Sequence, residues 1–146
     1  KSLSFVWFRI FYIYGPGQRL GSLLPSIFDN LKEGRLPKIN SPFNSNDYIY
    51  IDDVVDAFTV ASTSSLPSGL YNLGSGVSTT AIQICRYAEK IALNSSNLSN
   101  KLQSKSSPKE TDEDFWAEMT LTTKNLKWKP KTDLIRGIEL TLRGLN

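Results

Sequence analysis

Residues 46–57 read Asn-Asp-Tyr-Ile-Tyr-Ile-Asp-Asp-Val-Val-Asp-Ala, and no other stretch limits the fold as strongly. Tyr48, Ile49, Tyr50 and Ile51 form an apolar and aromatic run suited to a mostly buried strand. Asp52 and Asp53 follow at once, as an N-cap and a first-turn negative charge, both of which favour a helix start. The helix then carries Val54, Val55, Ala57, Phe58, Val60 and Ala61, apolar enough to lie against a sheet. A buried strand running straight into such a helix is the elementary unit of an α/β fold.

The rest of the chain supplies more of the same units. Residues 5–12 are nearly all apolar or aromatic apart from Arg9, which suits a central parallel strand covered on both faces. Beginning inside such a strand, a lone chain leaves a pairing edge and an apolar surface uncovered, so a further N-terminal segment is expected. The start, residues 1–8, reads as part of this strand and lacks the small-residue cleavage site of a secretory leader. Gly15-Pro16-Gly17 is a turn. Ser22 or its neighbour caps a helix reaching about Glu33, with Leu24, Ile27, Phe28 and Leu31 on one face, Pro25 in its first turn and Gly34 as its stop. Residues 36–47 read as a loop around a short strand, 62–68 as a polar connector, and 70–73 as a strand. One of Ser78, Thr79 and Thr80 caps a helix to about Leu93. Residues 94–107, rich in Asn and Ser, read as a surface loop. A last helix runs from Thr132 or Asp133 to about Gly144.

Composition removes several kinds of chemistry. The 146 residues contain no His, which excludes His-based triads, imidazole bases and the usual zinc sites. Cys85 is the single cysteine, so the chain has no internal disulfide framework, and its place in an apolar helix pattern marks it as core. No apolar run approaches the roughly 20 residues that span a bilayer. The expected compartment is the cytoplasm, with no membrane partner. The net charge of +3 comes from scattered Lys and Arg. Lys124, Lys127, Lys129 and Lys131 around Trp128 read as a solvated face rather than a nucleic-acid patch.

Four motifs in order carry a family resemblance. Residues 46–57 resemble the R-D-[FY]-[IV]-x-[VI]-x-D-x-x-x-A segment of extended short-chain dehydrogenases that act on nucleotide-diphosphate sugars. Residues 9–19, Arg9-Ile10-Phe11-Tyr12-Ile13-Tyr14-Gly15-Pro16-Gly17-Gln18-Arg19, are similar to R-x-F-N-x-Y-G-P-x-x-R of that family. Gly69 to Gly76 resemble its Y-N-[IL]-G-x-G, and Leu126 to Thr132 its L-G-W-x-P-x-[TV]. The resemblance implies an α/β fold comprising the end of a Rossmann-type sheet and a small α/β lobe. Residues 1–146 are then the C-terminal, substrate-binding part of an NAD-dependent epimerase, dehydratase or reductase. The family's G-x-x-G-x-x-G loop and Y-x-x-x-K pair, both in its N-terminal half, do not occur in this sequence. The expected partners are that dinucleotide-binding N-terminal half, with NAD or NADP bound mainly there, and a nucleotide-diphosphate sugar. The full-length form is expected to be able to pair as a homodimer. Without the acid/base pair, this segment alone is expected to be inactive, and it offers no catalytic residue of its own.

Site residues follow from the resemblance one at a time. Phe11 matches an aromatic beside the nicotinamide, and equally reads as a core aromatic. Tyr12 stands where the family has an Asn that bonds the diphosphate. Ser22 and Leu23 match a segment touching diphosphate and base, where helix-start donors suit phosphate charge; an ordinary N-cap at Ser22 is the plainer meaning. Asn46 replaces an Arg that clamps phosphate, removing a fixed charge and a bidentate fork. Arg19 is the candidate to compensate. Lys109 and Asp112 take the places of a second phosphate-binding Arg and a ribose-accepting acid, although surface Lys and Asp are common. Trp128, Asn72, Gly74 and Gly76 read as structural, despite the superficial likeness of Gly74-Ser75-Gly76 to a phosphate loop. The departures at Tyr12 and Asn46 leave a second reading open, a non-catalytic sugar-nucleotide-binding or remnant protein.

Overall fold

The computed structural model describes residues 5–145; the strand reading of residues 1–4 lies outside them. The apolar run at the start does not form one strand. It forms β1 (Val6–Ile10) and β2 (Tyr12–Tyr14), with a change of partner at Phe11. After the turn, α1 (Leu23–Lys32) leads through a loop to β3 (Ser45–Tyr50), which enters α2 (Ile51–Thr63) without a break. The chain continues through β4 (Gly69–Leu73), β5 (Ser78–Thr80), α3 (Ala81–Leu93), α4 (Asn97–Ser104), α5 (Thr120–Leu126) and α6 (Leu134–Arg143).

Two small sheets result. β1 pairs with β4 in parallel, Trp7 opposite Leu70 and Arg9 opposite Asn72. Phe11 N donates to Leu73 O at 2.9 Å, and the chain then crosses to a second sheet. There β2 runs parallel to β3, Tyr12 opposite Tyr48 and Tyr14 opposite Tyr50, and β3 runs antiparallel to β5. Continuous apolarity cannot reveal such a switch, because it reports burial and not which neighbour provides it. The expected cover on both faces of β1 is also absent among the described residues: Val6, Phe8 and Ile10 pack inward, whereas Trp7 on the other face is 64% exposed.

Two cores lie on either side of β3. Alternate side chains of a strand point to opposite faces, so Ile49 joins Val54, Ala57, Tyr71, Leu73, Leu126 and Trp128 between the β1–β4 sheet and α2. Tyr50 joins Tyr14, the apolar faces of α1 and α3, Leu102 and Ile138. Cys85 is fully buried there, as expected.

The helix starts show where local rules suffice. Thr80 caps α3 with a reciprocal pair, its Oγ1 accepting from Gln83 N and its backbone N donating to Gln83 Oε1. Asp133 caps α6, accepting from Arg136 N. Ser22 is the N-cap of α1 by backbone position, but its side chain makes no cap bond.

At α2 the expected first-turn charge is present, but the expected side-chain cap is not. Tyr50 is the N-cap, Asp52 and Asp53 both lie in the first turn, and no side chain caps the helix. The Asp53 carboxylate is drawn away to accept from the backbone of Lys131 and Thr132, at 2.9 and 3.0 Å. Asp53, Val54 and Ala57 of α2 are buried, and Phe58, half exposed, lays its ring 4.8 Å from Phe8 of β1 as expected, whereas Val55 is largely exposed.

Residues 94–107 are not a plain loop. Leu98 and Leu102, spaced i,i+4, pack α4 against the core, and Glu89 of α3 accepts from Leu98 N and Ser99 N at 2.9 and 2.8 Å. Two leucines in a polar run were enough to fix a helix that composition conceals.

Candidate functional site

The site builds outward from the register of β2 and β3. Facing pairs place Tyr12 against Tyr48, ring centroids 5.8 Å apart, and Tyr14 lies 5.7 Å from Tyr50. The turn after β2 brings the start of α1 back over these rings. Tyr12, Ser22 and Leu23, with Tyr14, Gln18 and Tyr48, line a cavity of about 220 Å³. Three of the sequence-selected residues therefore meet at one place.

Asn46 reaches this cavity indirectly. It stands two positions before Tyr48 on β3, on the same face of the strand. Burial pushes the Tyr48 phenol above its ordinary pKa; the Asn46 amide pulls the other way and the neighbouring Tyr12 adds to the rise. Burial also raises the Tyr14 phenol, helped by Asp133 and Asp53, so these phenols remain protonated hydrogen-bond donors at neutral pH.

Phe11 lies on the other side of Tyr12. It lines a more open groove of about 650 Å³ with Arg9, Ile10 and Phe115, and Tyr12 and Ile13 belong to both hollows. The Phe115 ring sits 6.0 Å from Phe11 and 6.4 Å from Tyr12. Sequence reasoning did not select Phe115 as a site residue. Its only signal in the sequence is the aromatic pair Phe115-Trp116, three residues after Asp112.

Lys109 and Asp112 stand apart. They share a turn in which Lys109 N donates to Asp112 Oδ2 at 2.7 Å and Asp112 N donates to Lys109 O at 3.0 Å. The loop then docks beside Asn46, with Ser45 N donating to Glu113 O and Ser78 Oγ donating to Asp114. Neither Lys109 nor Asp112 lines the 220 Å³ cavity, and the exposed Arg19 does not either. No cationic side chain is among the lining residues of that cavity.

The loop carrying Phe115 is held by Asp47. This fully buried carboxylate accepts from Ser75 N, Ser75 Oγ, Gly76 N and Ala117 N. Gly74 lets it approach: a Cβ there would stand 2.4 Å from Ala117 Cβ and 2.6 Å from Asp47 Oδ2. The Ser75 and Gly76 amides are thus already occupied, and Gly74-Ser75-Gly76 is a carboxylate-binding turn rather than a phosphate loop. Among the described residues no cluster of His, Cys, Asp and Glu could hold a metal ion, and no helix is long and apolar enough to cross a membrane.

The sequence model of the NAD dependent epimerase/dehydratase family matches residues 1–74, half of the chain. The chain belongs to that family. Among curated proteins it is similar to the CDP-abequose synthase of Salmonella typhimurium, 28% identical over 98% of this chain and 49% of the relative. It is also similar to the dTDP-D-glucose 4,6-dehydratase of Mus musculus, 26% identical over 89% of this chain and 38% of the relative. The chain spans about half or less of the length of these curated relatives. In fold it resembles the UDP-glucose 4-epimerase of Thermotoga maritima, solved with UDP-glucose, at a TM-score of 0.74 and 22% identity, over 98% of this chain and 46% of that one. An NAD dependent NDP-hexosamine 5,6-dehydratase of tunicamycin biosynthesis gives a TM-score of 0.68 at 26% identity, over 94% of this chain and 44% of that one. These likenesses bear out the α/β fold class and the family resemblance.

Proposed function

We propose that this chain is the C-terminal, nucleotide-diphosphate-sugar-binding part of an NAD- or NADP-dependent sugar epimerase or dehydratase. The observation that carries the reading is the convergence of Tyr12, Ser22 and Leu23 on one cavity beside Tyr48 and Asn46, in a chain of this family. Tyr12 and Ser22 offer hydroxyls there, and Leu23 an apolar contact. Arg19, Lys109 and Asp112 are peripheral contacts, reached only by a ligand long enough to leave the cavity.

The dinucleotide is bound mainly by an N-terminal half of the full-length protein. A bound nicotinamide would supply the hydride acceptor. The apolar, aromatic groove of Phe11 and Phe115 fits a flat ring, and Phe11 is the residue of this chain placed to lie against it. This segment lends position, not acid/base chemistry, and by itself turns over nothing. The full-length protein works in the cytoplasm, and its ligands are sugar nucleotides rather than nucleic acid.

Titration of the full-length protein with UDP-, CDP-, GDP- and dTDP-sugars tests the reading. Saturable binding of at least one, with NAD(P)-dependent epimerisation or dehydration, is the expected result; binding of none would end it. A second reading has one observation in its favour, the absence of a cation from the cavity lining. In that reading the protein binds a sugar nucleotide and transforms nothing, so binding would persist without turnover.

A further inference from the structure

Asp47 lies between Asn46 and Tyr48 on β3, and its side chain points to the opposite face of the strand from theirs. The carboxylate is fully buried, and a buried charge persists only where donors surround it. Ser75 N at 2.6 Å and Ser75 Oγ at 2.7 Å donate to Oδ1; Gly76 N at 2.8 Å and Ala117 N at 3.0 Å donate to Oδ2. Ser75 and Gly76 belong to one turn. Ala117 N is the donor that comes from a different segment, and Ala117 is itself buried beside Gly74.

That segment is anchored at both ends. Upstream, Ser45 N donates to Glu113 O at 2.8 Å, Ser45 bridges to Asp114, and Ser78 Oγ donates to the Asp114 carboxylate. Downstream, Ala117 N meets Asp47, and Asn72 Nδ2 donates to Glu118 O at 2.9 Å. Phe115 and Trp116 stand between the two anchors, both partly exposed. The Phe115 ring ends a row of aromatics: Tyr48 lies 5.8 Å from Tyr12, Tyr12 lies 6.4 Å from Phe115, and Phe115 lies 6.0 Å from Phe11. Strand pairing fixes Tyr12 and Tyr48, and the bond to Leu73 O fixes Phe11. Phe115 is the ring of this row that comes from a loop, so its place depends on the anchors.

We propose that Asp47 is a positioning residue for the groove of Phe11 and Phe115: by accepting from Ala117 N it sets how far Phe115 stands from Phe11 and Tyr12, and so how a flat ring is held there. The inference rests on the reading of that groove as the surface facing the nicotinamide. It adds the group on the far face of β3 that fixes the groove's loop wall. Asp47 is buried and fully paired, out of reach of a ligand, so it acts through Phe115. With the dinucleotide bound mainly by the N-terminal half, a displaced Phe115 disturbs the attitude of the ring more than the amount of dinucleotide bound. The signature is a loss in kcat with little change in KM for the dinucleotide.

The test uses the full-length protein as wild type, Asp47→Asn, Phe115→Ala and the double variant. The first readout needs no turnover. Without ligand, Asp47→Asn is expected to speed amide exchange across residues 115–117 at least about tenfold, while the amides of α2 stay within about threefold of wild type. The second readout is NAD(P)-dependent turnover of UDP-, CDP-, GDP- and dTDP-sugars, per folded molecule. Each single variant is expected to lose about tenfold in kcat, with KM for the dinucleotide within about threefold, and the double variant to be no slower than the slower single one. Losses that multiply in the double variant would overturn the inference, because Asp47 would then not act through Phe115. Unchanged kcat per folded Asp47→Asn molecule would overturn it too, leaving Asp47 a purely structural group. Should circular dichroism show Asp47→Asn unfolded, Ser75→Ala removes one donor of the carboxylate and is expected to give the same pattern at about threefold; unchanged exchange and kcat there would count against the inference. Wild-type protein that transforms none of these sugars would instead remove the reading beneath it, whatever the exchange at residues 115–117.

Discussion

Asp47 Oδ2 accepts from Ala117 N at 3.0 Å across a gap of 70 positions in the chain. The same carboxylate holds Ser75 and Gly76. One buried group thus ties β3, the turn after β4, and the loop that presents Phe115 to Tyr12. Asp47→Asn replaces an acceptor-only group by one with a single acceptor oxygen and sets an N–H against backbone donors. The expected loss is about 3 kcal/mol of folding stability, read by urea unfolding. A loss below about 0.5 kcal/mol would show that the turn is held by its own backbone geometry.

Trp128 and Asp56 form a second long-range tie. The indole N–H donates to Asp56 Oδ2 at 2.8 Å, and Lys131 Nζ meets the same oxygen at 2.8 Å. The Lys131 bond, then the Trp128 bond, hold the Asp56 carboxyl below its ordinary pKa. Trp128→Phe keeps an aromatic in the core and removes only the donor. A destabilisation of about 1–2 kcal/mol is expected, and in a double-mutant cycle with Asp56→Asn the two effects should be less than additive.

Glu89 links α4 to acid. Burial works against its ionisation, but the amides of Leu98 and Ser99, with the Ser99 and Ser95 hydroxyls, bring its pKa below 4.5. A depressed folded-state pKa contributes stability that is fully present above the unfolded value and disappears as pH falls through the folded one. Amide-exchange protection at Leu98 and Ser99 should therefore survive to pH below 4.5 and then fail as Glu89 takes its proton. Glu89→Gln should weaken that protection already at neutral pH. Protection that outlasts Glu89 protonation would show that Leu98 and Leu102 alone hold the helix.

Cys85 should be silent toward thiol reagents. Burial, with Glu89 adding and Arg86 opposing, pushes its thiol up to about 12. The thiolate is the reactive form, so at pH 8 the folded protein should not react with a disulfide reagent on the timescale of free cysteine. Labelling should track unfolding across a urea series, and rapid stoichiometric labelling of the native protein would contradict the packing of α3.

Much of this fold was legible from its residues, and the exceptions share a cause. The strand entering α2, the apolar face of α1, the stop at Gly34, and the caps at Thr80 and Asp133 are set within one or two turns of the chain. Tyr12, Ser22 and Leu23, selected through the family resemblance, line one cavity. Phe115 and Gln18 were not selected. An aromatic and an amide on loops carry no periodic signal, and their value depends on what stands opposite. Lys109 and Asp112 were selected through the resemblance, yet they share a turn away from that cavity, where one Asp112 oxygen accepts from Lys109 N.

By itself, the sequence determined the strand that enters α2, the helices α1, α3 and α6 with their starts, the family, and the lack of an imidazole. These follow from side-chain identity and spacing over a few residues. Only the tertiary structure decided that the first apolar run changes sheets at Phe11, that Asp53 leaves its helix to hold Lys131 and Thr132, and that Asp47 fills the turn at Gly74. A strand's partner and a buried carboxylate's donors lie tens of residues away, and their choice is made by which surfaces bury each other in the folded whole.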